Sequence, residues 1–164
     1  MHARSIPVFT GFLSALDKML VKAEAHCEET GIAPEALLDF RLFPDMFSFT
    51  RQVQLACDFA SRGCDRLGGR EFRSYPDTET GFAELRARIA TVQEYLAGFT
   101  TEEFAGAETR IIPLEVRGTE MPMPGDLFLE GFSKPQFFFH LTTAYNVLRH
   151  NGVAVGKLDY MGAA

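Results

Sequence analysis

The segment FFFHLTTAYNVLRHNG, residues 137–152, carries two of the chain's four histidines. Imidazoles ligate metals and move protons near neutral pH, so their spacing is tested first. The segment has helical periodicity. At 1.5 Å per residue, the offset from His140 to His150 separates their backbones by about 15 Å and turns the side chains onto different faces. The two cannot share an ion. A helical metal pair needs His at i and i+4, or Glu-x-x-His, whereas Ala144 follows His140 by four and Gln136 precedes it by four. His140 shares a face with Phe137, Leu141, Ala144 and Leu148, so it points inward. There it either bonds a neighbouring helix or lines a cleft. His150 belongs to the last turn, where a cation complements the helix dipole and can bond free carbonyls.

The polar residues that could join His140 lie upstream. Asp45 falls in the first turn of a predicted helix, and Arg41, four residues earlier, can pair with it. Gln52 follows Asp45 by seven on much the same face, so both can reach His140 across the core. Tyr145 can add a phenol, or act as an ordinary buried tyrosine with a bonded hydroxyl. Gln54 and Asp58 are further polar groups on the same helix. Such a cleft suits a small polar molecule. There is no G-x-S-x-G, P-loop, G-x-G-x-x-G or H-E-x-x-H motif.

Four long helices must position these groups. Phe9, Phe12, Leu13, Leu16, Met19, Leu20, Ala23 and Cys27 mark the first, ended by Gly31. After a short helical turn opened by Pro34, a second spans 45–67, buried on more than one side and stopped by Gly68 and Gly69. Phe82, Leu85, Ile89, Val92, Leu96 and Phe99 form the narrow seam of a third. Residues 100–132 lack helical period; they predict a small hairpin turning near Gly118, or an ordered crossover. The last helix is expected to open on a capping box at Ser133 and Gln136, and Asn151-Gly152 closes it. The fold class is all-α: one domain over 1–164, an up-down four-helix bundle with an irregular crossover before its last helix.

A hydrophobic fraction of 46% with 23% charged residues is that of a globular chain. The net charge of −6, with no basic stripe, argues against nucleic acid. No apolar run is long enough to cross a bilayer, and the start does not resemble a signal peptide, so the expectation is a cytoplasmic protein without a membrane partner. Cys27, Cys57 and Cys64 are read as buried reduced thiols.

The blocks RLFPDMFSFTRQVQLACDFA and FFFHLTTAYNVLRHNGVAVGKLDYMG resemble a bacterial domain-of-unknown-function family, number nineteen ninety-three, of the DinB/YfiT-like superfamily. The resemblance implies a four-helix bundle, often dimeric. In many superfamily members a divalent metal is held by three histidines, one on the second helix and a spaced pair on the last, and some members are transferases or isomerases. Here the second helix has no histidine and the last no H-x-x-x-H. Only His140 could serve as a ligand, with Asp45 or Gln52, for zinc or nickel, a weak set for such metals. Three functions follow as expectations: a homodimer binding a small molecule in a polar cleft, a divalent-metal-dependent transferase or hydrolase, and a non-enzymatic, stress-related interaction protein. Whether the chain is an enzyme is left open.

Overall fold

The computed structural model describes residues 1–163. Helix α1 (His2–Thr30) buries Phe9, Leu13, Leu16, Met19, Leu20 and Ala23, and ends at Gly31 in the left-handed conformation. The short α2 (Pro34–Leu38) follows, with its proline in the first turn. Helix α3 (Phe49–Gly68) starts later than the sequence suggests. Pro44 disfavours helical backbone at the residue before it, and Ser48 supplies the cap, its Oγ accepting from the Arg51 amide at 3.4 Å. Asp45 therefore lies in the turn before α3 rather than in its first turn.

Residues 70–81 form no regular element, yet buried charge ties them down. The Arg88 side chain, on α4 (Phe82–Ala97), is 2% exposed. It donates to Asp58 of α3 at 2.7 Å, to Glu79 at 2.9 Å and to the Pro76 carbonyl at 3.1 Å. Gln54 donates to Glu79 at 2.8 Å, and Arg51 bonds Asp77. Arg51 and Gln54 of α3 thus engage this loop directly, and Asp58 does so through Arg88.

The crossover contains a split hairpin. After a 3-10 turn at Glu102–Phe104, strand β1 (Ile111–Ile112) pairs antiparallel with β4 (Met123–Pro124), and β2 (Glu115–Val116) pairs with β3 (Thr119–Glu120). Arg117 and Gly118 turn the chain with φ of 52° and 79°, the geometry of a two-residue primed turn. Pro113 and Pro122 separate the two pairs, each removing a backbone donor.

The last long helix is where prediction and structure part most. A short α5 (Gly125–Phe128) runs through a π turn (Leu129–Ser133) directly into α6 (Lys134–His150). Ser133 is itself helical, at φ −63° and ψ −52°, and its hydroxyl makes no cap bond. Pro135 explains the wider turn: it lacks the N–H that would bond the carbonyl four residues back, and its ring crowds that carbonyl. The helix ends as expected, with Asn151 Nδ2 on the Val147 carbonyl at 2.8 Å and Gly152 left-handed. His150 in this last turn lies against Phe40, ring centroids 5.4 Å apart. A final turn, α7 (Lys157–Tyr160), packs on α1.

The four long helices pack in the cyclic order α1, α4, α3, α6. Phe9, Phe49, Phe128 and Phe137 are fully buried, each stabilising the fold by about 1.5–3 kcal/mol over an exposed position. All three cysteines are free and buried. Among the described residues no helix is long and apolar enough to cross a membrane.

Candidate functional site

Gln52 on α3 and His140 on α6 meet across the helix interface. The Gln52 amide nitrogen donates to the Phe47 carbonyl at 3.2 Å, which leaves its oxygen to face His140 Nδ1 at 2.7 Å. That oxygen can only accept, so Nδ1 carries the proton and Nε2 keeps its lone pair. Burial, and secondarily the positive charge of Arg51, pull the His140 pKa from 6.5 down to about 4. The imidazole is therefore neutral at physiological pH. Its face stacks on Phe59 with centroids 5.3 Å apart and planes within 10°.

The other expected companions do not join this pair. Asp45 and Arg41 are exposed; Arg41 bonds the Met46 carbonyl, and no pairing between the two is formed. Tyr145 faces away on α6, against Tyr160 at 5.7 Å, beside a small hollow lined by Thr142, Asn146 and Lys157. Nor does the donor set fit a resident metal. His140 uses Nδ1 on Gln52, Asp45 is elsewhere, and among the described residues no three His, Cys, Asp or Glu side chains converge.

Phe59 also lines a cavity of about 350 Å3. Arg62, Gly63 and Arg66 of α3 form its floor. Phe72 and Arg73 of the 70–81 segment form one wall, Leu114 and Glu115 of the hairpin another, and Phe128, Phe132 and Ser133 of the π turn a third. Two polar atoms of this lining are buried without a partner: Ser133 Oγ and Arg66 Nε. The π turn places Ser133 directly over Gly63, so close that a methyl group on Gly63 would overlap Oγ. The Arg66 guanidinium lies 4.3 Å above the Phe72 ring. Desolvation, then the neighbouring Arg62, lower the Arg66 pKa below the usual arginine value.

A larger hollow of about 580 Å3 lies beside Arg41, between Glu35, Asp39, Arg51, Asp77 and Glu79. Its central polar groups answer one another: Arg51 bonds Asp77 and Gln54, and Gln54 and Arg88 both bond Glu79. None of its lining residues holds a buried polar atom without a partner. The smaller cavity has two.

Sequence reasoning reached His140 and Gln52 but missed Arg62, Arg66, Arg73 and Ser133. Arg62 and Arg66 one turn apart, like charges that repel, were the available signal. Ser133 was hidden by its resemblance to a cap.

The comparisons with known proteins agree with this architecture. The chain matches the family described as domain of unknown function (DUF1993) over residues 1–161. A crystal structure of a DinB family member from Shewanella denitrificans is similar throughout, with 41% identity and a TM-score of 0.93, covering 99% of this chain and 92% of that one. No curated protein matches it. A bundle of four long helices, matched from end to end in both sequence and structure, belongs to the DUF1993 family of DinB-like proteins.

Proposed function

We propose that this protein binds a small molecule in the cavity between α3, the π turn and the hairpin. The observation that carries the reading is the pair of unpartnered buried polar atoms on its wall, Ser133 Oγ and Arg66 Nε. Buried polar groups are nearly always satisfied, so two orphans lining one hollow point to a partner supplied from outside. His140 acts one layer behind: bonded to Gln52 and stacked on Phe59, it holds the ring that forms part of the wall. Binding at that volume is typical of small-ligand sites.

A chemically mixed library screened by thermal shift tests this. A ligand at about 100 times its Kd adds about 2.7 kcal/mol, and roughly 2–4 °C per kcal/mol is expected for a chain of this size. Backbone amide shifts from the hit should cluster at Gly63, Ser74, Glu115 and Ser133. A library without a hit, or shifts centred on Tyr145 and Tyr160, would overturn the reading.

The proposed assembly is a homodimer. Its support is a run of large apolar side chains left in solvent, Phe43, Phe47 and Phe139. Phe139 sets its ring against His140, and Phe47 supplies the carbonyl that orients Gln52.

A further inference from the structure

The chain carries a net charge of −6, yet this one cavity gathers three arginines against a single carboxylate, Glu115. Only Arg62 has a counter-ion there, Asp58 at 3.1 Å. Arg66 and Arg73 form no ion pair and rest on aromatic rings: Arg66 on Phe72, Arg73 over Tyr95 at 4.9 Å. The nearby Asp65 is already engaged, its two oxygens accepting from the Tyr95 hydroxyl at 2.6 Å and the Arg73 amide at 3.2 Å. A half-buried guanidinium without a counter-ion is costly, and an incoming anion offsets that cost. The fork of N–H donors on Arg66 matches a carboxylate. Ser133 Oγ, packed against Gly63 without a partner, adds a hydroxyl that can turn to donate to the same group.

The remaining lining sets the other half of the ligand. Phe59, Phe72, Phe128, Phe132 and Leu114 present ring faces and methyl groups, with no further buried polar atom awaiting a partner. A compact, flat apolar body fills such a space; a strongly hydrated inorganic ion does not. Glu115 at the rim disfavours multiply charged anions for the same Coulombic reason that the arginines favour a single charge.

We infer that the cavity takes a small organic monoanion, a carboxylate on a flat apolar or aromatic body, with the carboxylate on Arg66 and Ser133 and the body among the phenylalanines. The inference rests on the cavity being the binding site and adds the chemical class of its occupant.

Calorimetric titration of the full chain with 2-naphthoate, 2-naphthamide and inorganic phosphate tests it. Naphthoate should bind at least about tenfold more tightly than the uncharged amide, the scale of one charge-assisted hydrogen bond, and phosphate should bind more weakly than naphthoate. Arg66→Met should remove the preference for naphthoate over the amide, with the helical circular dichroism signal unchanged. Ser133→Ala, which deletes only the hydroxyl, should weaken naphthoate by about threefold or more and leave the amide less affected. Amide binding equal to naphthoate, or a preference that survives in Arg66→Met, overturns the anionic class. Phosphate binding as tight as naphthoate overturns the apolar body. If these probes fail while uncharged or cationic library compounds shift the amides of Gly63 and Ser133, the class falls and the binding site stands. If no compound of any class binds there, both fall.

Discussion

His140 is held in one tautomer by a line of donors running from its own Nδ1 to Gln52 and on to the Phe47 carbonyl. Because its folded pKa is depressed to about 4 from 6.5, the unfolded chain takes up the proton first as pH falls. The stability it contributes is whole above about pH 6.5 and is lost as pH falls from there towards 4. His140→Gln should be about 1–2 kcal/mol less stable at pH 7, a gap that narrows by pH 4.5 in urea denaturation; parallel pH curves would refute the assignment. Arg66 predicts the opposite of what removing a charge usually does. With no counter-ion to orphan, Arg66→Met loses only its stacking on Phe72 and sheds a desolvated charge, so urea denaturation of the ligand-free protein should find its stability unchanged or raised, and a fall of more than about 1 kcal/mol would mean that a hidden partner exists. At this scale the sequence was legible where spacing alone decides. Gln52 and His140 sit on regular helices, and their periodicity brings them together. Arg41 and Asp45 were misplaced because the helix start moved to Phe49, and Tyr145 because five residues turn it about 140° from His140.

Among the elements, the 70–81 segment leans most on one side chain. Arg88 answers Asp58, Glu79 and Asp77, so Arg88→Met strips the buried Asp58 and Glu79 of an ion pair and leaves each with its second partner, Arg62 or Gln54. The expected cost is about 2–3 kcal/mol. Hydrogen exchange should show the loss concentrated in residues 70–81, carrying Phe72 and Arg73 away from the cavity; uniform weakening across the bundle would contradict this. The crossing of α3 and the π turn offers a sharper test. Gly63→Ala drives a methyl into Ser133 Oγ, while the Ser133 Cβ stands at 3.4 Å from that methyl position, an ordinary contact. Gly63→Ala should therefore destabilise by about 1–3 kcal/mol, and Ser133→Ala in the same chain should restore most of it. A double variant whose loss is the sum of the singles would show that the two positions are uncoupled. Neither device could be seen in the sequence. Arg88 sits in the seam of α4 looking like an exposed charge, and the π turn exists only because Pro135 disturbs an otherwise continuous helix.

Across the whole molecule, the four helices and the hairpin turn at Gly118 were legible because each rests on a local rule: apolar period, glycine stops, a primed turn. The cavity was not, since it assembles from α3, a loop, a ribbon and a π turn whose meeting is purely tertiary. The proposed homodimer makes its own prediction. Phe139→Glu should convert a dimer into a monomer in light scattering without loss of helicity, and a wild-type protein that is monomeric at micromolar concentration would remove the proposal.

The two prolines that split the crossover ribbon bear on a different property, colloidal behaviour. A continuous hairpin of β1 to β4 would expose one unbroken row of backbone donors and acceptors beside Ile111 and Met121, both exposed, which is a template for strand-by-strand growth of aggregates. Pro113 and Pro122 interrupt that row between the two pairs, so an intruding strand finds only the short stretches on either side of them to extend. The ribbon can thus wall a cavity with apolar residues while remaining inert towards its own copies.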